Sequence, residues 1–135
     1  LGHASPGQVF SPLMGAELFA DAATQTTLPL RADFEYGIQV LTGRLRVDDE
    51  VLEPGTLLYL EAGRDALNLI ADSGCRALLI GGEPLQEPLL MWWNFVARTQ
   101  AELSMACHDW NAGAKYFGEV TGYPGKRLEA PLPPW

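Results

Sequence analysis

The side chains of this sequence that could act as nucleophiles, acids, bases or metal ligands are few and scattered. Its two histidines are His3, in a Leu1-Gly2-His3 start that reads as a cloning remnant, and His108, in a helical stretch where it is expected to face solvent. Cys75 and Cys107 fall in different elements, and neither has a histidine at a spacing that would make it a thiolate nucleophile. Ser11, Ser73 and Ser104 lack the flanking glycines of a nucleophile elbow. Gly81-Gly82 is a lone glycine pair, too little for a loop that cradles phosphate. Asp33 and Glu35 offer the oxygen ligands that a hard cation takes, but two scattered acids read as surface charge. The sequence therefore assigns no catalytic residue, no metal ligand and no cofactor. What it leaves is binding. Tyr36, Gln39, Tyr59 and Asn68 are polar residues on strand-like segments that could line a cavity for a small molecule. The alternative is that they face solvent or satisfy one another.

The elements that must position these residues are mostly short strands. Gly15–Ala20 reads as the first, and Thr26–Leu30 as an edge segment, because Pro29 has no N–H to give to a ladder. Phe34–Leu41 alternates through Phe34, Tyr36, Ile38 and Val40, and Thr42-Gly43 turns it into Arg44–Val47. Val51-Leu52 runs into Pro54-Gly55, a strong turn signal. Leu57–Leu60, Ala66–Ile70 and Cys75–Ile80 follow, each bounded by turn residues. About eight short strands with a turn every eight to twelve residues signal a sandwich or barrel.

The aromatic-rich stretch 81–98 is where sheet is expected to meet helix. Met91, Trp92, Trp93, Phe95 and Val96 carry too much apolar area to leave in water, at roughly 1.5–3 kcal/mol for each large side chain buried. Thr99-Gln100-Ala101-Glu102 is a capping box that starts a helix, and Gly113 stops it. Leu103, Ala106, Cys107 and Trp110 form one apolar stripe, while Ala101 and Met105 mark a second face. The tail to Trp135 carries Tyr116, Phe117, Val120, Tyr123, Leu128 and Leu132 among its prolines and is expected to pack as an extended strap. The expected organisation is a single domain over 1–135, with a barrel over 1–98, a helix over 99–113 and a packed tail over 114–135. Met91, Trp92, Trp93, Asn94, Ala101 and Met105 form the expected contact surface for a second copy of the chain, as a twofold homodimer. The competing expectation is that the tail folds back over this patch.

Composition sets the outer limits. A net charge of −8 and a pI near 4.6 argue against direct nucleic-acid binding. No apolar run approaches the ~18 residues of a membrane span. Two cysteines without a pairing pattern or a secretory signal fit a reducing, cytoplasmic compartment. The start at Leu1 rather than Met reads as a trimmed chain or a piece of something longer.

The strand rhythm from Tyr36 to Asn68, with its glycine-ended hairpin, Pro-Gly turn and second strand pair, resembles the cupin barrel. Gly81-Gly82-Glu83-Pro84-Leu85, the run Trp92–Thr99 and Phe117-Gly118-Glu119-Val120 resemble the C-terminal half of pirin-family proteins, and the resemblance extends from about Ser11 to the end. It implies an all-β fold, a cupin-type double-stranded β-helix or jelly roll, with one C-terminal helix and an extended tail. Pirins are two-domain cupins, and the resemblance places their iron, held by histidines and a glutamate, in the other domain. A cupin metal site needs histidines on its first hairpin and on a later strand. Here those places hold Arg31, Asp33, Glu35, Tyr36 and Gln39, and then Asp65 to Asn68. The main expectation is thus a metal-free cupin domain for binding, assembly or protein interaction, without catalysis of its own. The alternative is dioxygenase activity on flavonols of the quercetin type, or another small-molecule chemistry in the barrel.

Overall fold

Apolar residues at every second position make strands with one dry face, and dry faces must pair. The computed structural model describes residues 4–119 and 121–135; His3 and Val120, both noted above, lie outside the described residues. The chain divides into two compact units, Leu1–Pro84 and Leu85–Trp135.

The first unit holds eight strands: β1 (Leu13–Ala20), β2 (Thr24–Pro29), β3 (Glu35–Thr42), β4 (Leu45–Val47), β5 (Glu50–Leu52), β6 (Leu57–Leu60), β7 (Ala66–Ala71) and β8 (Cys75–Gly82). They form two four-stranded antiparallel sheets, ordered β1-β8-β3-β6 and β2-β7-β4-β5. The first strand pairs with the last, the second with the seventh, the third with the sixth and the fourth with the fifth. That pattern is a long hairpin wound on itself, which is the jelly roll expected from the sequence. Pro29 lies on β2, an edge strand, where its missing N–H costs no ladder bond.

The alternation on β3 sets the geometry. Tyr36, Ile38 and Val40 are buried between the sheets, while Glu35, Gly37 and Gln39 point the other way. Ile38, Leu67 and Leu79 are fully buried at the centre of the core. One end of the core is closed by Phe34 and Tyr36, whose rings lie 6.1 Å apart.

The second unit begins with a hairpin that the sequence reading did not foresee, β9 (Leu90–Trp92) and β10 (Phe95–Ala97). Its two-residue turn is Trp93-Asn94, and Trp93 sits at φ +52°. A bulky residue in the left-handed region costs on the order of 1–3 kcal/mol, so packing must hold it there. The ring of Trp93 stands edge-on to Phe95 and to Trp110, at 5.5 Å from each. This hairpin belongs to the compact unit of helix and tail, so residues 85–98 separate from the expected barrel span of 1–98.

Helix α1 (Gln100–Asn111) starts at the expected capping box. The Thr99 hydroxyl accepts from the Glu102 N–H at 3.2 Å, and the Glu102 carboxylate accepts from the N–H groups of Thr99 and Arg98 at 3.1 and 2.9 Å. Those two backbone donors hold the Glu102 carboxyl below its usual range. Thr99→Ala is expected to lower stability by about 1 kcal/mol through the lost cap. Amide hydrogen exchange in the first turn of α1 checks this, and unchanged protection there would show that the cap contributes nothing.

Leu103 and Cys107 are fully buried, and Ala106 and Trp110 are half-buried beside them. The tail is fastened to helix and hairpin by side chains rather than by a ladder. Asn111 makes a two-way amide pair with the backbone of Ala130, at 2.8 and 3.0 Å. The indole N–H of Trp92 donates to the Pro131 carbonyl and that of Trp110 to the Leu128 carbonyl, each at 2.7 Å.

Candidate functional site

Small and large residues are distributed unevenly between the two sheets of the first unit. Tyr36, Ile38 and Leu60 fill one part of the interior. Toward the free edges of β1 and β2 the inward residues become Ala20, Ala71, Cys75 and Ala77, and a cavity of about 320 Å³, open to solvent along one side, lies between the sheets. Leu18, Leu28, Leu45 and Leu69 complete its apolar wall. Thr24, Thr26 and Glu17 are the polar and charged residues at its rim. The Cys75 thiol on the wall is held in its neutral form, since burial raises its pKa.

The residues expected to line such a cavity are not brought together. Tyr36 alone points inward, and its hydroxyl is spent on one residue, accepting from the Arg31 N–H at 2.8 Å and donating to the Arg31 carbonyl at 3.1 Å. Gln39 and Tyr59 lie on the outer face of the β1-β8-β3-β6 sheet. Asn68 lies on the outer face of the other sheet, where Asp48 accepts from both its backbone N–H and its side-chain amide. The reason is strand parity: each of these three neighbours an inward-facing leucine or isoleucine.

The residues expected at an interface divide in the same way. Met91, Asn94, Ala101 and Met105 are exposed. Trp92 and Trp93 are half-buried in the second unit's own aromatic cluster, and Trp92 meets the ring of Trp135 edge-on at 5.6 Å. The tail thus covers part of the surface that a second copy was expected to cover.

Asp33 and Glu35, read as surface charge, have partners of their own. Asp33 is bound by the Arg31 guanidinium, which holds its carboxyl below the usual range. Glu35 accepts from the Tyr59 hydroxyl at 2.7 Å. Among the described residues no three His, Cys, Asp or Glu side chains are grouped as a metal would need. Both cysteines are buried and unpaired by any disulfide, and His108 is exposed. No helix is long and apolar enough to cross a membrane.

The sequence reading missed a third surface. On the outer face of the β1-β8-β3-β6 sheet, Leu13, Phe19, Leu57, Tyr59, Leu78 and Ile80 are 39–63% exposed, with the Glu17–Arg76 ion pair, Glu35 and Gln39 set among them. Register puts Gly15 and Gly37 on either side of Ile80, so the middle of this face is flat. The outer face of the other sheet is more polar, with Gln25, Thr27, Arg46 and Asn68 beside Ile70 and Val51.

Comparison with known proteins agrees with the geometry. The family model of the pirin C-terminal cupin domain matches residues 15–116. The chain is 41% identical over 134 residues to the Pseudomonas aeruginosa protein named "Putative quercetin 2,3-dioxygenase PA1205", covering 99% of this chain and 42% of that one. A crystal structure of quercetin 2,3-dioxygenase from Acinetobacter baumannii superposes with a TM-score of 0.89 at 42% identity, covering 99% of this chain and 45% of that one. A second structure of that name and organism gives 0.77 at 28% identity, with 88% and 41% covered. The chain therefore spans less than half the length of these relatives.

Proposed function

This chain belongs to the pirin C-terminal cupin family, and on that premise we propose that it serves as the companion barrel of a quercetin 2,3-dioxygenase-type protein whose metal is held elsewhere. The names of its relatives support a dioxygenase context more than a role without any catalysis. Oxygenation of a flavonol in such a protein draws on a redox metal. The described residues of this chain do not fit one: no three His, Cys, Asp or Glu side chains are grouped, and Asp33 and Glu35 are engaged with Arg31 and Tyr59.

The observation that carries the reading is the flat apolar face built by β1, β8, β3 and β6. Six large side chains there offer on the order of 600 Å² of apolar area, the upper end of what a lone domain leaves in water and a size that often marks a contact surface. A second sheet can stack on such a face about 10 Å away. The resemblance to two-domain cupins supplies the occupant: a metal-bearing barrel lying against this sheet.

The test co-expresses this chain with the segment of the Pseudomonas aeruginosa relative that lies outside the match. Co-purification is expected, with iron and quercetin turnover in the complex, and Ile80→Asp is expected to abolish it. Ile80 is more than half exposed, so the change leaves the chain folded. Quercetin turnover by this chain alone after loading with ferrous iron would overturn the reading, as would undiminished co-purification of the Ile80→Asp variant. A stable dimer of this chain by light scattering, broken by Ile80→Asp, would assign the face to a second copy instead.

A further inference from the structure

The cavity at the β1–β2 end of the barrel follows from side-chain size and register. Ala20 stands opposite Cys75 and Leu18 opposite Ala77 on one sheet, and Ala71 stands opposite Leu45 on the other. Small residues from both sheets therefore face each other across the same space. Cores normally close to the density of an organic crystal. Here a volume of about 320 Å³ is left open between two edge strands.

The rim determines what charge an occupant can carry. The Glu17 carboxylate is taken by the Arg76 guanidinium. The Thr24 hydroxyl donates to the Ala22 carbonyl at 2.7 Å. Thr26, exposed on β2 beside Leu28, is the rim residue whose hydroxyl has no hydrogen-bond partner among the described residues. The wall behind it is leucine, alanine and a neutral thiol.

We infer that this cavity is a binding site for a small, neutral, two-ring apolar molecule carrying at most one hydroxyl, which Thr26 orients. Size supports two rings: an apolar cavity of about 150 Å³ takes benzene, and this one has roughly twice that room. Polarity sets the upper limit on hydroxyls. A polyhydroxylated flavonol would press several hydroxyls against leucine and alanine with no partner, and each costs free energy when buried unpaired. A charged ligand fares worse for the same reason. The site is thus distinct in chemistry from the flavonol named for the relatives, and the inference stands independently of the companion-barrel reading.

The test is isothermal titration of the full chain with 2-naphthol, alongside naphthalene-2-sulfonate as a charged probe of similar shape. Saturable one-to-one binding of 2-naphthol is expected, with no heat from the sulfonate. Ala77→Leu places an isobutyl group in the cavity and is expected to weaken 2-naphthol by at least about tenfold. Ala71→Met, at a half-exposed position on the cavity wall, is expected to do the same and carries the test if Ala77→Leu does not fold. No heat with 2-naphthol would overturn the inference. Equal binding of the sulfonate, or unchanged 2-naphthol affinity in a folded variant, would also overturn it.

Discussion

Gly43→Ala is expected to destabilise the strand unit by about 3 kcal/mol, from two penalties that add at one atom. Gly43 links β3 to β4 at φ +75°, a conformation that L side chains rarely adopt. An added Cβ would also stand 2.8 Å from the Cα of Cys75 and 3.2 Å from its Cβ. The obstacle is backbone, so no rotamer change relieves it. Cys75 in turn is fixed by pairing with Ala20 across β1 and β8. Moving it would disturb the cavity wall as well as the hairpin. Denaturant unfolding followed by far-UV circular dichroism measures the effect. A midpoint within error of the parent would mean that the β3–β4 turn shifts freely and that the close approach is not a constraint.

Trp110→Ala is expected to cost about 3 kcal/mol in the second unit, near the low end for a large aromatic because the residue is only half-buried. Its ring is the centre of a cluster. It meets Trp93 at 5.5 Å, Phe95 at 6.4 Å and Phe117 at 5.3 Å, and the Arg127 guanidinium stacks on it at 3.8 Å. Its indole N–H also holds the tail at Leu128. Removal would release three restraints together: the strained turn at Trp93, the 3-10 turn at Lys115–Phe117, and the tail. Faster amide exchange along β9, β10 and the second half of α1 is the expected signature. Exchange unchanged outside residue 110 would show that the cluster does not tie hairpin, helix and tail to one another.

The strands were legible because each carries its own period. The two-residue alternation from Phe34 to Val40 places four side chains inward whatever the rest of the chain does. The capping box at Thr99 is likewise local, needing only residues 98–102. That same alternation already contained the fate of the polar candidates. If Ile38 and Val40 face in, Gln39 must face out, and polarity alone was a poor guide to a lining residue. The hairpin β9–β10 was hidden because its turn places tryptophan where glycine or asparagine is usual. The cavity was hidden for a different reason. Ala20, Ala71, Cys75 and Ala77 are small residues with no pattern of their own in the sequence, and only the pairing of distant strands makes them neighbours. The apolar outer face is also a product of pairing, since Leu13, Ile80 and Tyr59 come from three strands far apart in sequence.

The placement of the indoles has a consequence for how this chain can be watched. All four tryptophans, Trp92, Trp93, Trp110 and Trp135, lie beyond Pro84, whereas the strand unit has only the phenols Tyr36 and Tyr59 as hydroxylated aromatics. Emission excited at the red edge of protein absorption therefore comes from the helix, hairpin and tail alone. The jelly roll is dark in that channel and dominates the far-ultraviolet signal of strands. One melting experiment recorded in both channels separates the two units without a label. Two superposed curves identify a single cooperative transition, and two displaced curves identify which unit gives way first.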